Sequence, residues 1–235
     1  MKKNILKFYL LLVLVIVSCS KKIEYSPEFI KETSGKYLYN QDELIEVYYK
    51  NNKLYLNWRE AEKLEPLIID EKTFFMVDMY KKFRFVQDPT TKKRYLAILP
   101  EDNKKELTYD FLKVPDTFKT PSMYLKNKEY KKAVLGYLEI KKKDSTSTII
   151  EESKFNSYGY ELIRKKEMEH AIQVFKINVA LYPNSSNVYD SLGDAYLRNN
   201  DSLQAFNNYK KALELNNGNR RAKKYVNAYN KKQNN

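Results

Sequence analysis

Cys19 and His170 are the single cysteine and the single histidine of the sequence, which limits the chemistry open to the chain. One thiol forms no internal disulfide, and one thiol with one imidazole cannot supply a four-ligand Cys/His zinc site. Any Ser-His-Asp or Cys-His nucleophile would have to use His170. This histidine precedes Ala171 in a helical segment, where a packed or exposed role is expected. Catalysis by carboxylates alone is the remaining alternative, and no spacing in the sequence points to it. We therefore predict a protein that is not an enzyme and that needs no metal or cofactor.

The residues before Cys19 have the pattern of an export signal. Lys2, Lys3 and Lys7 precede an apolar run over 8–17, which is too short for a permanent membrane span. The run ends in Ile16-Val17-Ser18-Cys19, which resembles the lipobox of bacterial lipoproteins. The resemblance implies that the signal 1–18 is removed and that Cys19 carries diacylglycerol on sulfur and an acyl chain on its amine. Several acyl chains hold a protein stably on a membrane. An ordinary signal peptide with a chance cysteine is the alternative.

The residues after the cysteine bear on its destination. Ser20 is compatible with transfer to the outer membrane, whereas Lys21 and Lys22 differ from the acidic stretch that sends some bacterial lipoproteins to the cell surface. The expected location is therefore the cell envelope, with the lipid in the outer membrane and the protein facing the periplasm.

One pattern occurs twice in residues 152–219, at a spacing of 34 residues. The paired positions carry aromatic, small and turn residues: Phe155/Tyr189, Tyr158/Leu192, Gly159/Gly193, Leu162/Tyr196, Ala171/Ala205, Phe175/Tyr209 and Pro183/Asn217. This period resembles the tetratricopeptide repeat (TPR), a helix–turn–helix unit that stacks on its neighbours. Glycine and alanine suit the point where the two helices cross most closely.

Around these copies we expect a helical TPR domain over 120–235. It would comprise an incomplete repeat 120–150, repeats 152–185 and 186–219, and a capping helix 220–232. Ala133 matches Ala171 but lies 38 residues before it, so we expect a four-residue insertion near 144–148. Three hairpins are close to the minimum for a continuous stack.

The TPR resemblance implies a concave face that binds a protein or peptide. Its ligand positions, the second, fifth, ninth, twelfth and thirteenth, correspond here to Ser153, Asn156, Tyr160, Ile163, Arg164, Asn187, Asp190, Asp194, Leu197 and Arg198. The polar members, apart from Ser153, are the predicted partner-binding residues: Asn156, Tyr160, Arg164, Asn187, Asp190, Asp194 and Arg198. A peptide backbone would bond to the amides, and a carboxylate to the two arginines. Alternatively, Asn187 and Asp190 satisfy helix-start backbone groups and the arginines are solvated.

Residues 34–119 alternate with period two and predict an antiparallel β domain, after a tether over 19–33. Six to eight strands are expected, as a sandwich or half-barrel, with a hairpin around Asn51-Asn52. The expected core comprises Leu54, Leu56, Trp58, Phe83, Phe85, Leu107, Tyr109 and Phe111. The fold class is thus α+β.

The order of the β domain and helical repeats resembles the C-terminal part of bacterial serine hydrolases of the β-lactamase type. Gly35-Lys36-Tyr37, Phe83-Arg84-Phe85 and the run Phe175–Leu197 carry the resemblance. The catalytic domain has no counterpart, because no Gly-x-Ser-x-Gly occurs and Ser18-x-x-Lys21 spans the lipobox cleavage point. The resemblance implies an accessory protein whose partner is a separately encoded serine hydrolase.

Charge is concentrated in the C-terminal half. Residues 121–235 hold 21 basic and 12 acidic residues, a net of +9, against +1 for 20–120. Lysine-rich solvated helix faces explain most of the excess, and an acidic partner is favoured over nucleic acid, from which export removes the chain. The predicted function is a lipid-anchored scaffold or accessory subunit. The alternative is a lipid- or glycan-binding protein with its site in the β domain around Trp58.

Overall fold

The computed structural model describes residues 23–100 and 107–234. Cys19 and the predicted signal 1–18 lie outside the described residues. The strands are β1 Gly35–Asn40, β2 Glu43–Lys50, β3 Lys53–Trp58, β4 Ala61–Leu64, β5 Leu67–Ile68, β6 Thr73–Met76, β7 Lys81–Gln87, β8 Arg94–Ile98 and β9 Phe111–Val114. The helices are α1 Pro27–Thr33, α2 Pro121–Lys126, α3 Tyr130–Lys143, α4 Glu152–Arg164, α5 Met168–Leu181, α6 Ser186–Arg198, α7 Ser202–Leu215 and α8 Arg220–Gln233. No helix within 23–100 and 107–234 is both long and apolar enough to span a bilayer.

The strands form one antiparallel sheet in the order β4-β3-β2-β1-β9-β8-β7-β6-β5. Neighbours alternate in direction along this order, so the edge strands β4 and β5 run the same way. Only Glu65 and Pro66 separate them, so the extended segment 61–68 pairs first with β3 and then with β6. The sheet must curl to bring its two edges to this segment. The predicted half-barrel is confirmed, and the sandwich is wrong; the nine strands exceed the predicted number.

Large apolar side chains fill the inside of the curled sheet. Tyr37, Ile45, Leu56, Phe74, Phe83 and Leu96 are each at most 1% exposed. Helix α1 and the preceding Tyr25 close one end, where Phe29 stacks on Tyr25 at a centroid distance of 5.5 Å. The predicted tether is therefore wrong for residues 25–33, because their aromatic side chains complete the barrel core.

The predicted β2–β3 hairpin is confirmed. Asn51 and Asn52 have positive φ angles of 52° and 58°, and Lys50 pairs with Lys53 across the turn. A two-residue turn of this kind matches the twist of the flanking strands, and asparagine tolerates the left-handed conformation. The Asn52 side chain also holds the N-terminal segment, since it exchanges two 2.8 Å hydrogen bonds with the backbone of Tyr25.

The predicted strand over 107–111 is wrong for its first four residues. Asp110 accepts hydrogen bonds from the backbone N–H of Ile98 and the hydroxyl of Thr108, both at 2.7 Å, in place of a backbone ladder. Regular pairing begins only at Phe111, opposite Leu96. Leu107 and Tyr109 are consequently 42% and 41% exposed and do not belong to the core.

Helices α4–α7 form two hairpins that occupy the repeat copies. Gly159 lies against the ring of Phe175, and Gly193 against the ring of Tyr209. Ala171 and Ala205 are fully buried at the other half of each crossing. Helix α8 packs on α7 through Ala222, Tyr225 and Val226. The chain thus forms an array of helical hairpins in which small residues set the helix spacing.

The first hairpin is shorter than the others. Helix α2 has six residues, and its Pro121 lies against Gly136 of α3, where a β-carbon would be 2.6 Å from the proline ring. A short 3-10 turn over Thr148–Ile150 follows α3, just beyond the expected insertion. The incomplete hairpin caps the array on the barrel side.

The barrel and the array meet at the start of α2. Asp42, in the β1–β2 turn, accepts a 2.7 Å hydrogen bond from the backbone N–H of Ser122. Thr120 is the N-cap of the same helix, because its side chain accepts a hydrogen bond from the backbone N–H of Met123. Burial raises the pKa of the Asp42 carboxyl, and the hydrogen bonds from Ser122 and Thr120 oppose that rise. A side chain from the sheet therefore caps the helical array.

Candidate partner-binding site

Helices α4, α6 and α8 present side chains on one shared face. Arg221 of α8 is hydrogen-bonded to Asp190 of α6, and its guanidinium also lies 3.5 Å from the hydroxyl of Tyr160 on α4. One side chain can touch both neighbours only if the first helices of successive repeats lie side by side. Helices α4, α6 and α8 therefore share one face, which contains the predicted positions of α4 and α6 and extends beyond them to α8.

An acidic pair lies at the centre of this face. Asp190 and Asp194 are one helical turn apart on α6, and each is only 7% exposed. Arg221 pairs with both, at 3.6 Å from Asp194, and the Arg198 Nε donates to Asp194 at 3.0 Å. The hydrogen bond to Asp190 raises the pKa of the Arg221 guanidinium above its already high ordinary value. The two carboxylates are thus neutralised by two arginines within the protein.

Tyr160 and Asn156 lie on the α4 side of the face and are half-buried. The Tyr160 ring meets Phe175 edge to face at 5.2 Å, which fixes its orientation over the hairpin. The Asn156 Oδ1 atom is buried and has no hydrogen-bond partner among the described residues. These residues contribute an aromatic wall and an amide beside the acidic pair.

Asn187 and Arg164 lie at the two ends of the face and are exposed. Asn187 donates a 2.8 Å hydrogen bond to Glu152 at the start of α4, so it links the first helices of the two repeats. Arg164 is in the last turn of α4. The seven predicted residues share the face, but they do not form one cluster.

The predicted carboxylate site between Arg164 and Arg198 stays a prediction. Arg198 pairs with Asp194, and its side chain is still 53% exposed. The alternative for Asp190 is wrong, because this side chain bonds to Arg221 and not to a helix-start amide. A carboxylate at Arg198 would therefore share this arginine with Asp194.

Arg221 is absent from the predicted residues, although the 34-residue period contained the signal. A third copy begins at Arg220 and places Arg221 at the second ligand position. The remaining ligand positions of that copy are Lys224, Ala228, Lys231 and Lys232. With Arg164 and Arg198, the face carries six basic residues against two aspartates.

Helix α8 differs from the first helices of the two repeats at the positions that face a second helix. In the first copy these are Phe155, Gly159 and Leu162, and the equivalent positions of the third copy are Lys223, Asn227 and Asn230. A polar surface at these positions would not bury a second helix of the same kind.

His170 is buried at 7% exposure between two tyrosines. Its ring lies 5.7 Å from Tyr130 and 6.0 Å from Tyr158, and Glu167 is 3.5 Å from Nδ1. This is a packing position between the first two hairpins. Within the described ranges, no group of three or more Asp, Glu, His or Cys side chains is arranged to hold a metal.

Trp58, the centre of the alternative ligand site, lies at the edge of the barrel core. Tyr39 packs on its ring at 5.5 Å, and the Arg59 guanidinium covers it at 4.4 Å. Its indole N–H is buried without a partner among the described residues. The barrel interior beside it is filled by the core side chains, so this structure contains a packed core at the proposed site.

Solved structures of TPR proteins are similar to less than half of this chain. No protein-family model and no curated protein matches the sequence. The first TPR of Spaghetti (RPAP3), solved bound to an HSP90 peptide, is 19% identical over 49% of this chain and 88% of its own, with a TM-score of 0.34. MamA is 24% identical over 42% of this chain and 51% of its own, with a TM-score of 0.28. The Arabidopsis OM64 TPR domain is 19% identical over 47% of this chain and 88% of its own, with a TM-score of 0.33.

Proposed function

We propose that the protein is a non-enzymatic, lipid-anchored scaffold or accessory subunit that binds an acidic protein segment on the face formed by α4, α6 and α8. The observation that carries this proposal is the contact of Arg221 with both α4 and α6, since it joins three first helices into one surface. Six basic side chains against two internally paired aspartates leave that surface positive. Complementary charge steers partners and selects against unsuitable ones.

A defined acidic probe tests the surface. Arg164→Glu combined with Lys224→Glu reverses two exposed charges of the face and should weaken binding of fluorescein-labelled hexaglutamate about tenfold, or about 1.4 kcal/mol. The measurement is fluorescence anisotropy at low and physiological ionic strength. The matched control is Lys176→Glu with Lys210→Glu, on the second helices α5 and α7.

The control separates a site from a general charge effect. Equal weakening by both pairs of substitutions would show that only net charge matters and would contradict the proposal. If the site is real, a natural partner captured from envelope extract should be lost with Arg164→Glu/Lys224→Glu and kept with the control.

The membrane anchor is proposed from the Ile16-Val17-Ser18-Cys19 motif. Cys19→Ser should release the protein from the membrane fraction into the soluble periplasmic fraction, measured by fractionation and immunoblotting. Metabolic labelling with an alkyne-tagged palmitate should mark the unchanged chain and not the variant. Unchanged membrane retention of Cys19→Ser would refute lipidation at this residue.

The order of barrel and helical array supports a more specific partner, a separately encoded serine hydrolase that lacks this C-terminal part. Co-purification of such an enzyme with the protein, abolished by the Arg164→Glu/Lys224→Glu pair, is the expected result. The small-ligand alternative predicts a change in Trp58 fluorescence on titration with lipid or glycan fragments. Unchanged Trp58 fluorescence throughout the titration would contradict the small-ligand alternative.

A further inference from the structure

A short apolar strip is exposed on the barrel. Leu67, Ile68 and Ile69 are 60%, 40% and 52% exposed, and they are consecutive at β5 and the start of the following turn. Leu67 and Ile68 are successive residues of a strand and point to opposite faces, whereas Ile68 and Ile69 line one groove, and these two residues are the apolar strip. Single exposed apolar side chains are ordinary on protein surfaces, but adjoining ones are a feature of contact surfaces. The strip belongs to the edge segment 61–68 where the sheet closes.

This apolar strip lies beside the first described residues of the chain. Ile23 and Tyr25 line the same groove as Ile68 and Ile69, with a volume of about 680 Å³. The hydrogen bonds between Tyr25 and Asn52 hold the N-terminal segment at this end of the barrel. Ile23, the first described residue, therefore lies beside the strip.

The helical array lies at the opposite end. The β5–β6 turn and the β2–β3 turn are at the end that carries α1, whereas Asp42 in the β1–β2 turn contacts α2. The strands other than the two-residue β5 have four to eight residues and run between these ends. A surface that contacts the strip would thus lie at the end of the barrel away from α2.

The distance to the proposed lipid is short. Cys19 precedes Ile23 by four residues, and four residues extend over at most about 14 Å. If Cys19 is acylated, the membrane surface is within that distance of Ile23, and the apolar strip is among the nearest parts of the barrel. Lys53 and Lys72 beside Glu65, Asp70 and Glu71 give this end a mixed charge. Contact with lipid would accordingly depend on apolar insertion more than on anionic headgroups.

We propose that Ile68 and Ile69 insert into the interfacial layer of the membrane to which the chain is anchored, and so orient the barrel with the helical array away from the lipid. The proposal rests on the proposed acylation of Cys19. The occupant of the strip is a lipid surface, and the acyl chains and the strip are two contacts with the same bilayer.

The single native cysteine makes the test specific. When Cys19 is acylated, Ile69→Cys supplies one free thiol for an environment-sensitive nitrobenzoxadiazole label on the full-length lipidated protein. In phosphatidylcholine vesicles the label at residue 69 should shift its emission to shorter wavelength by roughly 10 nm or more, and doxyl-labelled lipid should quench it. The same label at Val77→Cys is the control, because Val77 is 59% exposed at the other end of β6.

The outcomes separate this proposal from lipidation itself. A shifted label at 69 with an unshifted label at 77 supports the proposal. Protein that floats with vesicles while the label at 69 stays unshifted overturns the membrane contact and leaves lipidation standing. Equal shifts at 69 and 77 also overturn it, because the barrel would then have no preferred end on the lipid. Failure to float with vesicles would refute the acylation on which the proposal rests.

Discussion

Arg221 changes the chemistry expected of the concave face. A face with Arg164 and Arg198 alone would offer two arginines to a carboxylate, but Asp190 and Asp194 are buried and require cations of their own. Arg221 and Arg198 supply them. Buried charges are tolerated when they are paired and hydrogen-bonded, and removal of one partner exposes the cost of burying the other. The centre of the face is consequently a structural network, and its basic ends are left for a partner.

Replacement of Arg221 should therefore act on stability. Arg221→Ala leaves Asp190 without its cation, and we expect the free energy of unfolding to fall by about 1–2 kcal/mol, below the value for a fully buried pair because the arginine is itself half exposed. Urea denaturation followed by circular dichroism measures it. Arg220→Ala, an exposed arginine one residue earlier on α8, is the control. Equal effects of the two substitutions would show that the network does not stabilise the fold.

At the scale of elements, the two helix hairpins differ in the space between the glycine of the first helix and the aromatic ring of the second. A β-carbon on Gly159 would lie 2.5 Å from the Phe175 ring, whereas one on Gly193 would lie 3.1 Å from the Tyr209 ring. The first distance cannot be met without moving the helices or the ring. The second requires a shift of a few tenths of an ångström. The same repeat position therefore leaves less space for a side chain in the first hairpin than in the second.

This difference predicts unequal losses of stability for two matched substitutions. Gly159→Ala should destabilise the protein by about 1–3 kcal/mol through overpacking, in excess of the gain of about 1 kcal/mol in helix propensity. Gly193→Ala should be nearly neutral, since the propensity gain offsets a milder contact. Thermal unfolding of both variants provides the comparison. A Gly159→Ala protein as stable as the Gly193→Ala protein would contradict the close crossing of α4 and α5.

At the scale of the whole molecule, one turn of the barrel connects it to the array. Asp42 caps α2 from outside the helical domain, although Thr120 already provides a local N-cap. Helix α2 has only six residues and begins the first hairpin, so its stability depends on such contacts. The barrel therefore contributes directly to the order of the array at its proximal end.

Loss of this contact should have a local effect. Asp42→Ala should accelerate amide hydrogen exchange in Pro121–Lys126 and lower the free energy of unfolding by about 1–2 kcal/mol, as for the loss of a helix cap. Exchange in α6 and α7 should be unchanged. Gln41→Ala in the same turn is the control. Uniformly faster exchange across all helices would mean that Asp42 supports the global fold and not the junction.

Much of the architecture could be predicted because it depends on local periodicity. The 34-residue spacing placed glycine and alanine at helix crossings, and the Asn51-Asn52 pair predicted a hairpin through its tolerance of positive φ. The strand ending at Phe111 was misplaced because an alternating pattern does not show that Asp110 takes the ladder bond of Ile98. The tether was wrong because the docking of Tyr25 and Phe29 into the barrel is a long-range contact with no local pattern.

The candidate site divides in the same way. The sequence by itself determined that successive first helices present Asn156, Asp190 and their neighbours at equivalent positions, because a repeat period is a property of residues close in the chain. Only the tertiary structure decided that Arg221, 31 residues beyond Asp190, neutralises the acidic pair, and that 61–68 closes the barrel beside the N-terminal segment. These contacts depend on which distant residues meet, and no local preference of the chain specifies them.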